Sequence, residues 1–346
     1  NPAVGAVLVR DGRVLGRGCT ADGGRPHAEA MALAQAADRF GPAALKGATA
    51  YVTLEPCAHE GRTPPCAATL VAAGVARVVA PIEDPDPRVD GAGFATLRAA
   101  GVAVTTGCLA EAATTLNAGF LSRVARGRPW VTLKLAASLD GRIATRDGES
   151  RWITGPLARR AVHLMRARSD AILIGAGTAR ADDPRLDVRD IGLEAHRPVR
   201  IVVTGSLALP ADGHLGRSAD AAPLWLCHHA EADPARRKAW TERGATLIEA
   251  PFQPDGQLDL GALLQRLGDA GLTRVLCEGG GRLAGALLAA DGVDEIAGFV
   301  AGLALGDEAV PGVGPMEVGA LALAPRFRLI EERRIGGDLM ARWLRA

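Results

Sequence analysis

Aromatic side chains are scarce: the chain holds six Phe, five Trp and a single Tyr among 346 residues. So few rings leave little from which to build the stacking platforms that hold single-stranded nucleic acid. Excess charge of one sign is missing as well, with 40 Lys and Arg against 39 Asp and Glu. The global balance therefore gives no support to a phosphate-gripping surface, and no nucleic-acid partner is expected. Uncharged runs such as 101–110 and 296–306 fall well short of the roughly 18 apolar residues a membrane helix needs, so no membrane partner is expected either. No charged leader with an apolar core opens the sequence, and nothing marks it for secretion. It begins at Asn1 inside a strand-like run, from which an upstream segment is expected.

Cysteine is sparse too. Six in a chain this long are too few for a disulfide scaffold, which points to a reducing, cytoplasmic setting. There, clustered cysteines suggest metal binding or catalysis, and Cys57 and Cys66 form such a cluster. Cys19, Cys108, Cys227 and Cys277 are scattered and read as small buried hydrophobes.

At roughly 100–200 residues per domain, the length suggests two domains. Apolar runs at 3–9 and 14–18 flank Asp11-Gly12 as in a hairpin. A helix is expected over 28–40, ending before Gly41-Pro42. Strands at 49–54, 75–80 and 102–105 alternate with helices at 66–73 and 93–100. This is the pattern of a three-layer α/β domain with a largely parallel sheet, over 1–106. A connecting helix at 111–126 lies in a linker, 107–129. A second α/β series fills 130–346, with strands at 130–136, 171–175, 199–203, 224–227, 274–277, 295–300 and 339–343. Helices are expected at 156–168, 234–243, 260–270 and 282–289. The polar stretch 182–197 reads as a loop over the sheet edge, where α/β proteins hold ligands.

Two sites stand out. In a regular helix, residues two apart point about 200° away from each other. His27 and Glu29 therefore converge only if His27 sits at the helix entry, a position compatible with Pro26 before it. Pro64-Pro65 introduce a helix and place Cys66 in its first turn, where the helix dipole eases ionisation of the thiol. One imidazole and two thiolates fill three corners of a zinc tetrahedron and leave the fourth for water. The pattern His-x-Glu with a later Pro-Cys is that of zinc base deaminases, in which the glutamate moves protons. Here the two cysteines are eight residues apart instead of two. The thiolates cancel the charge of the ion, so its water is acidified less than in an all-imidazole site, and Glu29 is needed to take the proton.

The second site lies beyond residue 130. Lys134 to Arg142, Ile172 to Thr178 and Leu276 to Arg282 each end a strand in a polar or Gly-rich turn. Together they outline a crevice with close backbone approach and helix-start amides for a phosphate. The Gly-x-Gly-x-x-Gly dinucleotide spacing is absent.

Asn1-Pro2, Val4-Gly5, His27-Ala28-Glu29, Thr53-Leu54-Glu55-Pro56-Cys57 and Gly61-Arg62-Thr63-Pro64-Pro65-Cys66 resemble the bifunctional deaminase–reductases of riboflavin biosynthesis. So do Lys134 to Gly141, Gly148 to Thr154 and Ala181-Asp182-Asp183-Pro184-Arg185-Leu186. The resemblance covers nearly the whole chain in order. It implies a cytidine-deaminase-like three-layer α/β/α domain followed by a dihydrofolate-reductase-like α/β domain. The first would deaminate a phosphoribosylamino-pyrimidine with Zn²⁺, and the second would reduce its ribosyl group to ribityl with NADPH. By position it implies His27, Cys57 and Cys66 as zinc ligands, Glu29 as proton shuttle and Asn1 as a substrate contact. It further implies substrate contacts at Ser150, Arg166, Leu186, Arg189 and Glu278. Cofactor contacts fall at Ala136, Trp152, Thr178, Asp182, Gly280, Gly281, Arg282, Leu283, Ala284, Gly285 and Ala286. Lys134 and Asp182 are the ionisable groups suited to a role in reduction. A homo-oligomer is expected. Cys19 stands where the family commonly has a histidine facing the substrate, Thr204-Gly205 replaces a more polar pair, and the family's N-terminal helix is absent.

The implied chemistry is attack of zinc-bound hydroxide on the amino-bearing ring carbon, followed by hydride transfer to the sugar C1′. The rival is a zinc deaminase acting on a base in nucleic acid, which gives residues 130–346 no work. A zinc-stabilised binding module without catalysis is the alternative from another class.

Overall fold

The computed structural model describes residues 2–60, 64–251, 253 and 258–346. They divide into two compact units, Asn1–Arg126 and Gly127–Ala346.

In the first unit, β1 (Gly5–Arg10) and β2 (Arg13–Cys19) pair antiparallel around Asp11-Gly12. Both turn residues have positive φ, 50° and 75°, as a two-residue hairpin turn demands. Then follow α1 (Ala28–Phe40), β3 (Thr49–Val52), α2 (Cys66–Ala72), β4 (Arg77–Val79), α3 (Ala92–Ala99), β5 (Ala103–Thr105) and α4 (Ala110–Arg126). The sheet order is β2-β1-β3-β4-β5. Only β3, β4 and β5 run parallel, whereas β1 is antiparallel to both its neighbours. The expectation of a largely parallel sheet is thus corrected, because a two-residue turn joins only antiparallel strands.

Small residues decide where α1 sits. Ala28, Ala32 and Ala36 are fully buried, and α1 lies so close to β2 that a Cβ on Gly16 or Gly18 would meet a helix carbonyl at 2.2 Å. This close packing fixes the start of α1, and hence His27. The helix α4 falls within the first unit. Its buried Asn117 accepts the amide of Ala3 on Oδ1 at 3.1 Å.

In the second unit the chain forms β6 (Trp130–Ser138), β7 (Arg142–Ala144), α5 (Pro156–Ala167), β8 (Ala171–Gly175), α6 (Ala176–Asp182), β9 (Val199–Gly205), α7 (His214–Arg217) and β10 (Leu224–His228). It continues through α8 (Pro234–Glu242), β11 (Thr246–Glu249), α9 (Leu260–Asp269), β12 (Arg274–Gly279), α10 (Gly281–Ala289), β13 (Glu295–Ala301), β14 (Val310–Pro311), β15 (Phe327–Ile335) and β16 (Asp338–Arg345). The main sheet has the order β11-β10-β9-β8-β12-β6-β13-β16-β15. Strands β11 to β13 along this order are parallel, and the β15–β16 hairpin adds antiparallel strands at one edge. Central strands covered on both faces read as continuous apolar runs, as Ala171 to Ile174 do. Because β12 inserts between β6 and β8, the strand order reverses there, and crevices at carboxyl strand ends form at such switch points.

Two further expectations change. The Gly175-Ala176-Gly177 turn is the N-cap and first turn of α6; Gly175 has an ordinary extended conformation, and the alanines around it propagate a helix. The stretch after Asp182 does not run over a lateral edge. It joins α6 to β9, an interior strand beside β8. Strands β7, β11, β14 and β15 and the short helix α7 have no counterpart in the sequence reading. Among the described residues, no helix is long and apolar enough to cross a membrane.

Candidate active sites

His27 is the N-cap of α1 with an extended backbone (φ −70°, ψ 156°), so its ring departs from the helical course and meets Glu29 from outside it. Cys66 is the first residue of α2, after Pro65, and Cys57 follows β3. The ligand atoms of His27, Cys57 and Cys66 all lie within 4.8 Å of one another, the one such group among the described residues. His27 Nδ1 is 3.3 Å from Cys66 Sγ and 3.6 Å from Cys57 Sγ. A tetrahedral zinc with bonds of about 2.0 Å to nitrogen and 2.3 Å to sulfur sets such atoms about 3.5 Å apart, so the donor set fits that ion.

The electrostatics suit a cation. The Cys57 thiol is pulled down to about 5, first by the hydrogen bond from the Cys66 thiol, then by the Cys66 amide and by His27. That amide donates to Cys57 Sγ at 3.3 Å. Cys66 moves the opposite way, raised by its bond to Cys57 and by burial. Glu29 is only 5% exposed. Burial pushes its carboxyl up, with the Cys57 charge adding to the shift, which suits a group that must hold a proton and give it back.

A carboxylate with no assigned role in the sequence reading holds this loop in place. Glu55, 3% exposed, accepts the amides of Asp84 at 3.0 Å and Gly91 at 3.1 Å on Oε2, and of Phe94 at 3.0 Å on Oε1. It ties the Pro56-Cys57 turn to the start of α3, where a Cβ on Gly93 would meet the Pro56 carbonyl at 1.9 Å. A glutamate two residues before a ligand was the only signal in the sequence. Glu55→Gln presents an NH₂ to main-chain donors; titration with a chelator is expected to show zinc held about 10–100-fold more weakly. Asn1 and the Gly61-Arg62-Thr63 part of the loop lie outside the described residues, and Cys19 is exposed at the end of β2.

The second unit holds a cavity of about 850 Å³. Its walls include Lys134 and Ala136 from β6, Ser150 and Trp152, Arg166 from α5, Thr178 and Asp182 from α6, Leu186 and Arg189, Glu278 at the end of β12, and Gly280 and Ala284. The remaining expected cofactor residues do not line it. Leu283 packs in the core, Arg282 and Ala286 lie along α10, and Gly281 and Gly285 admit the 311–315 segment, whose carbonyls a Cβ would meet at 2.3 and 2.8 Å.

Glu278 and Arg166 form a two-bond fork of 2.5 and 2.9 Å, both almost buried. Arg166 also donates to the Asp187 carbonyl at 2.8 Å. Burial would raise the Glu278 carboxyl, but Arg166 and then Lys134 outweigh it and hold it low. Lys134 is drawn down by burial, against the pull of Glu278 and Asp182. Asp182 is pushed up by burial, opposed by Arg151 and Lys134. Trp152, 65% exposed, carries the Arg159 guanidinium 4.4 Å from its ring centre. Gly279 and Gly280 have φ of 72° and 92°, and a Cβ on Gly280 would lie 2.7 Å from Thr178 Oγ1. Arg159, which taken alone reads as a solvated helix charge, and His163, which carries no expectation, also line the cavity. Arg159, His163 and Arg166 follow the four-then-three spacing of one helix face, which is the signal that could have found them.

Residues 1–81 match the cytidine and deoxycytidylate deaminase zinc-binding region. Residues 129–341 match the RibD C-terminal domain. The chain belongs to the RibD family. It is 42% identical to the riboflavin biosynthesis protein RibD of Escherichia coli K12, with 98% of this chain and 92% of that protein covered. Identity to the Haemophilus influenzae protein of the same name is 40%, over 98% and 90%. Among solved structures, Acinetobacter baumannii RibD matches with a TM-score of 0.85 at 38% identity, covering all of this chain and 93% of that one. A Thermotoga maritima diaminohydroxyphosphoribosylaminopyrimidine deaminase/5-amino-6-(5-phosphoribosylamino)uracil reductase matches with a TM-score of 0.84 at 31% identity and the same coverage. As a RibD, the chain is a bifunctional riboflavin-biosynthesis enzyme, a zinc-dependent deaminase joined to an NADPH-dependent reductase acting on a small pyrimidine. The nucleic-acid rival is disfavoured, since it leaves residues 129–341 without a task.

Proposed function

We propose that the first unit deaminates a diamino-hydroxy-phosphoribosylaminopyrimidine and the second reduces the ribosyl group of the product to ribityl. The observation that carries this reading is the set of His27, Cys57 and Cys66 distances, beside a buried Glu29, in a chain with a large charged cavity in its other unit. His27, Cys57 and Cys66 would hold zinc, which supplies an acidified water when bound. Glu29 takes the proton of that water on a carboxylate oxygen and delivers it to the departing amino group.

In the second unit NADPH supplies the hydride. Arg166 and Glu278 anchor the substrate together with Ser150, Leu186 and Arg189, and guanidinium groups suit its phosphate. Lys134, half-buried in the cavity wall near Glu278 and Asp182, donates a hydrogen bond to the pyrimidine in this reading. Ala136, Trp152, Thr178, Asp182, Gly280 and Ala284, which line the cavity, hold the cofactor, and the α10 start offers amides to its phosphates.

Purified protein given the diamino substrate is expected to release ammonia without NADPH, and to oxidise NADPH only once deamination has occurred. Oxidation at an undiminished rate with deamination blocked by chelation would contradict the order of steps. Absence of ammonia from zinc-loaded protein would remove the deaminase assignment.

A further inference from the structure

A second cavity in the same unit, about 420 Å³, shares Arg185, Leu186 and His214 with the reductase cavity and is otherwise walled by different residues. Four arginines line it: Arg185, Arg197, Arg200 and Arg217. Arg200 is 3% exposed, yet its N–H groups reach only neutral oxygens: Ser218 Oγ at 2.7 Å and the carbonyls of Ser218, Ala222 and Pro223 at 2.8, 2.5 and 3.4 Å. Arg197 donates to the Ala221 carbonyl at 2.8 Å, and Arg217 to that of Asp212. Among the described residues, none of the four has a carboxylate within ion-pair distance.

The two acids in the lining are otherwise engaged. Asp187 is bound by Arg189, and Glu194 accepts the amides of Ile191 at 3.1 Å and Gly192 at 2.9 Å. Asp187 acts on the Arg200 charge from beyond ion-pair distance and is itself bound by Arg189, so the buried guanidinium is only partly balanced, which is costly. Main-chain carbonyls hold Arg197, Arg200 and Arg217, and Arg185, Arg197 and Arg217 are exposed, so part of the ordering cost is met before a ligand binds while three of the four charges stay accessible to it. The volume lies within the range of about 300–1,000 Å³ common to small-molecule sites.

We propose that this cavity is an anion site distinct from the reductase cavity, taking a small phosphorylated ligand on the Arg185, Arg197 and Arg217 forks over the buried Arg200 charge. Phosphate matches such forks in both geometry and charge. Either an inorganic ion or the phosphate of a mononucleotide offers that chemistry.

Equilibrium dialysis of the full zinc-loaded chain with inorganic phosphate, and separately with AMP, tests this. Arg197→Gln/Arg217→Gln is expected to lose one bound equivalent per chain, or to weaken it at least tenfold. Both reaction rates measured without added phosphate should stay within about twofold, since neither side chain lines the reductase cavity. Arg197→Lys/Arg217→Lys keeps the charge without the fork and should bind at intermediate affinity, which guards against a misfolded Gln pair. Tighter binding of AMP than of phosphate would mark a nucleotide site, and equal binding a site for the ion. Unchanged stoichiometry and affinity in the Gln pair, or identical losses in the Gln and Lys pairs, would overturn the proposal.

Discussion

Glu29→Gln is expected to keep one zinc per chain and to lose deamination by a factor of about 10²–10⁴, the usual contribution of a positioned general acid–base group. The exchange is isosteric in a site where volume matters, because Glu29 is packed between α1 and the ligand sulfurs. Glutamine preserves the bulk and hydrogen-bonding reach, but an amide neither takes nor delivers a proton near neutral pH. The three ligands are supplied by other residues, so metal content should not fall. Reduction of previously deaminated substrate should continue at the wild-type rate, since the reductase cavity lies in the other unit. Metal analysis, ammonia release and NADPH oxidation on one preparation separate these outcomes. Loss of zinc along with activity would make Glu29 a structural residue, and retained deamination would remove its proton role.

Arg166→Leu is expected to abolish reduction and to destabilise the second unit by about 3–5 kcal/mol at neutral pH, the cost of leaving a buried charge without its partner. All five tryptophans lie in residues 127–346, so tryptophan fluorescence during urea unfolding reports on that unit. The pH dependence follows from the direction of the Glu278 shift. In the wild type its carboxyl is held below the ordinary value of about 4.3. Its ionised form therefore stabilises the fold above that value, and the stabilisation is lost as pH falls through the lower, folded one. Without Arg166, burial acts against only the weaker pulls of Lys134 and His163, and the carboxyl rises. The variant should then fall less far behind the wild type at pH 5 than at pH 7. A deficit independent of pH would mean that packing, and not the ion pair, is what Arg166 contributes.

Residues whose neighbours lie close along the chain were readable in advance. The Asp11-Gly12 hairpin, the bounds of α1 and the strand at Ala171–Gly175 rest on turn chemistry and on side-chain periodicity, which act over a few residues. Strand β15 escaped notice because its sequence from Phe327 to Ile335 carries five charged residues, four of them consecutive from Glu331 to Arg334, without the period of two, as befits an edge open to water. The Gly175-x-Gly177 turn misled because a glycine pair marks a helix start as readily as a tight turn.

The composition and local order of residues marked out the groups proposed to carry zinc chemistry: an imidazole before a helix, a glutamate two residues on, and two thiols with prolines beside them. Tertiary packing decided what surrounds them. The Glu55 carboxylate meets amides 29 to 39 residues away, and Arg166 meets Glu278 across 112. No local pattern encodes such pairs, because a charge is retained in the interior only where the folded chain brings its partner, and that depends on strand order and helix packing instead of spacing.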